Sequence, residues 1–181
     1  MPTKLYLASR SPRRKELLAQ AGLKFEVFVP KEEELAAPGT LKEDRPGPIV
    51  KRISRGKAEA AYRELREKGV DVGVILSADT LVFHEGKVLG KPSDEADARR
   101  MLGKLSGKWH QVCTGVTVLR FKGDRIAEKT IFVSSKVKFF PLKKEWIRWY
   151  VGTGEPMDKA GSYGAQAHGA VFIEKFAGSY S

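Results

Sequence analysis

The chain has 181 residues, 41% hydrophobic and 30% charged, with 33 Lys and Arg against 22 Asp and Glu for a net charge of +11. That length suits one domain, or two small lobes sharing a core, and the composition is too apolar for a disordered chain. A single cysteine, Cys113, excludes an internal disulfide and a cysteine-cluster metal site, and no apolar run has signal-peptide or membrane-spanning length, so a soluble, cytoplasmic protein is expected.

Leu5–Ala8 reads as a short buried strand, and Ser9-Arg10 as a turn. Ser11 then stands as a helix N-cap, with Pro12 at the first helical position, Leu17, Leu18 and Ala21 at helical spacing, and Gly22 as the stop. Phe25–Val29 is a second strand, and Lys31–Pro48 a polar loop. Ile49 to Lys68 is helical, stopped by Gly69. Val72–Leu76 is a continuous apolar run, predicted to be a strand buried on both sides, which leads through Ser77-Ala78-Asp79-Thr80 to Leu81–Phe83 and a hairpin turn at Glu85-Gly86-Lys87. Ser93 is the predicted cap of a helix whose buried face is Ala98, Met101, Leu102 and Leu105. From Trp109 to Pro141 two alternating runs, Val112/Thr114/Val116/Val118 and Ile131/Val133/Ser135/Val137/Phe139, flank Gly123-Asp124 as a long antiparallel hairpin. Lys143–Tyr150 is a short helix, and Ala170–Glu174 a late strand. A βαβ start followed by a meander predicts a mixed α/β sheet flanked by helices.

Four segments have the residue types that chemistry needs. Ser9–Arg14 joins a strand end to a helix start, where unpaired N–H groups and the helix dipole favour an anion, and adds two hydroxyls and arginine forks suited to phosphate oxygens. It is not a P-loop, lacking the glycines and the Gly-Lys-Ser/Thr ending. Asp79 sits in an apolar strand, which is costly unless the carboxylate is paired or binds a metal. Lys91, between Gly90 and Pro92, is a well-placed phosphate partner, and Gly154–Gly169 mixes five glycines with charges, Tyr and Gln as an ordered binding loop would. The three His share no metal-ligand spacing, Cys113 reads as core, and Trp109, Trp146 and Trp149 read as core or apolar cover.

In this order, Leu7-Ala8-Ser9-Arg10-Ser11-Pro12-Arg13-Arg14, Glu34, Lys57-Ala58, Ser77-Ala78-Asp79-Thr80, Gly90-Lys91-Pro92, Leu105-Ser106-Gly107 and Asp158-Lys159-Ala160-Gly161-Ser162-Tyr163-Gly164 resemble the Maf family of nucleoside triphosphate pyrophosphatases. The resemblance spans nearly the whole chain and implies a single domain over residues 1–181, with two lobes and a cleft, similar to the inosine triphosphate pyrophosphatase folds. It implies hydrolysis of a nucleoside triphosphate to monophosphate and pyrophosphate with a divalent cation, Mg²⁺ before Mn²⁺ or Co²⁺, and the homodimer the family often forms. Thr80 and Gln166 make the chain similar to the dTTP/UTP subgroup, since the 7-methyl-GTP subgroup tends to have Asp-Gln where this chain has Asp79-Thr80. The resemblance thus gives Asp79 as the catalytic residue and Glu34 with Asp79 as metal ligands. Ser9, Ser11, Arg13, Arg14, Lys57 and Lys91 face the phosphates, and Arg13, Thr80 and Gln166 set base preference. The family pattern continues past Gly178-Ser179-Tyr180 with a segment like Asn-Val-x-Gly-Leu-Pro, whereas this sequence ends at Ser181. The rival readings are a purine or 7-methyl-GTP pyrophosphatase, a non-catalytic nucleotide-binding septum regulator, and a nucleic-acid binder. The charge alone favours the last, yet no RNA-binding aromatic motif or zinc-finger spacing is present.

Overall fold

The computed structural model describes residues 3–31 and 45–180; the expected metal ligand Glu34, with most of the loop around it, lies outside them. Among the described residues the order is β1 (Leu5–Ala8), α1 (Pro12–Gln20), β2 (Glu26–Val27), α2 (Pro46–Glu67), β3 (Val72–His84), β4 (Lys87–Leu89), α3 (Glu95–Leu105), β5 (Trp109–Lys122), β6 (Arg125–Phe139), α4 (Lys144–Gly152) and β7 (Ile173–Ala177). Short 3₁₀ turns cover Glu155–Asp158, Ala160–Ser162 and His168–Phe172. The architecture is mixed α/β: one seven-stranded sheet of order β2-β1-β3-β5-β6-β7, with β4 paired to β3. β1 runs parallel to β2 and β3, whereas β4 and β7 pair antiparallel to β3 and β6.

The described residues divide into two compact units, one of residues 3–31, 48–79 and 114–132, the other of residues 45–47, 80–113 and 133–180. In the first, Tyr6, Ile75, Leu119 and Phe121 pack against Ala58, Ala61 and Leu65 of α2. The small alanines let the helix lie low, and at Gly115 the approach is closer still: a Cβ there would sit 2.2 Å from the Val50 carbonyl oxygen. In the second, α3 buries the predicted face Ala98, Met101, Leu102 and Leu105, and α4 buries Ile147, Tyr150 and Val151. Val137, Phe139 and Phe172 complete that core.

Several expectations shift in detail. α2 begins at Pro46 rather than Ile49, because first-turn N–H groups have no helical acceptor and proline costs nothing there. β2 shrinks to two residues, β7 starts at Ile173, and Val72 is 44% exposed instead of buried. The cap of α3 is Asp94, not Ser93. Its carboxylate accepts the Asp97 N–H at 2.7 Å, and Asp97 accepts the Ser93 N–H at 3.1 Å in return. A carboxylate is the stronger acceptor at the positive end of a helix. In β5 the buried phase is Cys113, Gly115, Thr117, Leu119 and Phe121, the opposite of the valine run, since both phases carry apolar residues. Ile131 and Val133 of β6 are 47% and 40% exposed, and burial sets in only at Ser135, next to where β7 pairs with Lys136–Phe139. Trp109, Trp146 and Trp149 are about half exposed, at 45%, 45% and 50%, and are not core. Ile147, Tyr150 and Val151 claim the inner face of α4, which turns Trp146 and Trp149 away from it.

Candidate functional site

The parallel register pairs Ala8 with Ser77 and so sets the end of β1 beside the middle of β3. The chain turns there and enters α1. Ser11 has the extended N-cap backbone, but its hydroxyl makes no capping hydrogen bond. The acceptor at this turn is the buried Ser9: its Oγ accepts the Ser11 N–H at 3.2 Å and a proton from Arg14 Nη1 at 3.0 Å. The same Nη1 donates to the Ala78 carbonyl at 2.7 Å. Arg14 thus ties the start of α1 to β3, one residue before Asp79, while Arg13 is half-buried beside it.

Asp79 meets α2. Lys57 Nζ donates to Asp79 Oδ1 at 2.8 Å, with side chains 17% and 18% exposed. Ser77, two residues earlier and on the same face of the strand, donates its hydroxyl to the Ser54 carbonyl at 2.5 Å. Ser54 lies about one helical turn before Lys57. The strand's period of two and the helix's turn therefore match across two contacts, and the buried serine contact sets the register of the exposed-side pair. Ser54 Oγ also bonds Thr117 Oγ1 at 3.0 Å, and Thr117 bonds Thr130 at 2.9 Å. Ser54, Ser77 and Thr117 are fully buried. Ser54 and Thr117 belong to no motif in the sequence; their one local signal is a hydroxyl on an otherwise apolar face.

The first unit therefore brings together Ser9, Ser11, Arg14, Lys57 and Asp79. Thr80 follows Asp79 along β3 but belongs to the second unit, as do Lys91 and Gln166, both exposed. In that unit the glycine-rich segment is ordered by Glu155, Tyr150, His168 and Lys159, to which the sequence assigned no individual role. Glu155, with a side chain 12% exposed, accepts from the Tyr150 hydroxyl at 2.9 Å and from His168 Nδ1 at 2.8 Å. Burial works to raise the Glu155 pKa, but hydrogen bonds from His168, Tyr150 and the His168 and Gly169 amides outweigh it and hold the carboxyl below its usual range. Lys159, 9% exposed, donates to the Glu155 carbonyl at 2.6 Å and to Asp158 at 2.7 Å. Gly161 has φ +66°, and a Cβ there would come within 2.7 Å of Val82 Cγ2, so this motif position admits only glycine. Cys113 is buried, as expected, and burial raises its thiol pKa, which disfavours the thiolate.

His110 is 3% exposed, and its Nε2 hydrogen-bonds the Tyr163 hydroxyl at 2.7 Å. Burial, helped by nearby His84, lowers its pKa to about 4. Between that value and the ordinary 6.5, the unfolded chain takes up a proton that the native imidazole refuses. Stability therefore rises with pH across this window, and acidification from 6.5 to 4 costs about 3 kcal/mol at this one residue. His110→Gln, which can still bond Tyr163, is expected to flatten the slope. Thermal melts of both proteins across that range check it, and parallel slopes would reject it.

The α/β sheet thus sets an arginine-anchored turn at a helix start and a lysine–aspartate pair beside the end of β1, a place where N–H groups and cations would favour an anion. The chain belongs to the Maf family: the family model described as Maf-like protein matches residues 4–181. It is 47% identical over 177 residues to a dTTP/UTP pyrophosphatase of Symbiobacterium thermophilum, covering 97% of this chain and 84% of that protein. It is 44% identical over 177 residues to one of Carboxydothermus hydrogenoformans, covering 98% and 89%, and 41% identical over 180 residues to one of Aquifex aeolicus, covering 98% and 86%. Among the described residues, no helix is long and apolar enough to cross a membrane.

Proposed function

We propose that this chain hydrolyses dTTP and UTP to the monophosphate and pyrophosphate, by attack of water on the α-phosphorus. The observation that carries this reading is the Lys57–Asp79 pair beside the Arg14-anchored turn, in a Maf-family chain whose relatives bear that name. Lys57, Lys91, Arg13 and the Ser9–Ser11 turn hold the phosphates, and Arg14 fixes the turn. Once the triphosphate draws Lys57 to itself, the Asp79 oxygen that Lys57 occupies is open to accept a hydrogen bond from the attacking water and orient it. Of the second unit's residues, Thr80 and Gln166 read the base. The Gln166 amide offers both a donor and an acceptor to the N3–H and O4 edge of a pyrimidine, and Arg13 assists.

A divalent cation fits this donor set. Among the described residues no three His, Cys, Asp or Glu side chains gather as a protein-only metal cage. Mg²⁺ needs no such cage, because it is held by one or two carboxylates with phosphate oxygens and water. Asp79 supplies one hard oxygen ligand and Glu34 is proposed as the other. When bound, the cation neutralises charge on the phosphates and acidifies water. Pyrophosphate release from a panel of dTTP, UTP, CTP, GTP, 7-methyl-GTP and ITP tests the reading. Turnover is expected for dTTP and UTP and is lost with EDTA. Preference for 7-methyl-GTP refutes the assignment of Thr80 and Gln166, and no release from any nucleotide refutes the enzyme.

A further inference from the structure

Gln166 is exposed, on a tip between Gly164 and His168 that has no regular structure of its own. Both ends of that tip hang from one carboxylate. On one side, Glu155 Oε1 accepts the Tyr150 hydroxyl at 2.9 Å, and that hydroxyl oxygen accepts the Gly164 N–H at 3.2 Å. On the other, Glu155 Oε2 accepts the His168 N–H at 3.1 Å and its Nδ1–H at 2.8 Å, with the Gly169 N–H 3.5 Å from Oε1. The two ends touch: a Cβ on Gly169 would lie 2.6 Å from the Gly164 carbonyl oxygen and 2.8 Å from the Tyr150 hydroxyl. Only Ala165, Gln166 and Ala167 bridge the clamp, so the tip has little conformational freedom left to lose when it meets a ligand.

We propose that Glu155 is a positioning residue that sets base selectivity by clamping the Gln166 tip through Tyr150 and His168, an inference that rests on the reading of Gln166 as the base contact. A carboxylate suits the clamp because the Tyr150 hydroxyl and the His168 and Gly169 N–H groups all donate to it. An amide would turn its NH₂ toward either the Tyr150 hydroxyl or the His168 N–H, leaving that donor without an acceptor beside a side chain only 12% exposed.

The test is steady-state pyrophosphate release from UTP and GTP by Glu155→Gln, with Tyr150→Phe and Gln166→Ala alongside. Glu155→Gln is expected to raise the KM for UTP about 10- to 100-fold with a smaller change in kcat, and to shrink the UTP-to-GTP ratio of kcat/KM. Tyr150→Phe keeps the ring in the core, breaks only the Gly164 arm, and shifts the ratio the same way by less. It carries the test if Glu155→Gln fails to fold. An unchanged ratio, or equal losses on both nucleotides, means Glu155 serves the fold alone and overturns the proposal. If Gln166→Ala shrinks the ratio while the clamp variants do not, the positioning role alone fails. If Gln166→Ala leaves the ratio intact, the reading of Gln166 fails and the proposal with it.

Discussion

Asp79→Asn is expected to lower turnover by roughly 10²–10⁴ while leaving the melting temperature near that of the parent, the loss usual when a group that handles the reacting proton is removed. The substitution isolates charge from shape. An asparagine keeps an oxygen for Lys57 where Oδ1 now accepts at 2.8 Å, and it leaves the Ser77–Ser54 contact that registers β3 on α2 untouched. What disappears is the negative charge that the proposed mechanism uses to orient water and to help hold a cation. Pyrophosphate release under saturating nucleotide measures this directly. Activity equal to the parent would remove Asp79 from the mechanism and leave the Lys57 pair as a structural bond.

Gly115→Ala is expected to cost about 3 kcal/mol or more, at the upper end of overpacking penalties, and to lower activity as well. The new Cβ would stand 2.2 Å from the Val50 oxygen and 2.5 Å from its carbonyl carbon, and backbone of a helix cannot swing aside as a side chain can. α2 must lift from β5 instead. That helix carries both Ser54 and Lys57, so the lift parts Ser54 from Thr117, now 3.0 Å apart, and draws Lys57 from Asp79. Chemical denaturation reads the stability, and pyrophosphate release reads the site. A variant as stable and active as the parent would show that the helix has slack at this crossing. Gly103 in α3, by contrast, has nothing within 4 Å of the place its Cβ would take, so Gly103→Ala is expected to be tolerated.

The clearest sequence signals were those written within a few residues. The Ser11-Pro12 helix start, the α3 face and the Gly123-Asp124 turn each depend on local backbone preference or a single period, and each formed where expected. Asp79 stood out because a charge in an apolar strand demands a partner, but the sequence named none for it, and only the structure shows that the partner is Lys57. Lys57 is 22 positions away, and no local pattern joins them. The Ser93 cap was displaced by one residue because two adjacent acceptors compete for the same helix start and the carboxylate wins.

By itself, then, the sequence determined the mixed α/β class, the anion-favouring turn at Ser9–Arg14 and the motif set of the Maf family, because these follow from short-range stereochemistry and residue chemistry. Tertiary structure alone decided which phase of β5 is buried, which face of α4 leaves Trp146 and Trp149 in solvent, and that Gly115 must be glycine. It also decided that Ser54 registers the Lys57–Asp79 pair and that Glu155 gathers Tyr150, Gly164 and His168. These are contacts between groups remote in the chain or ambiguous in periodicity, and only packing selects among the arrangements that the same local pattern permits.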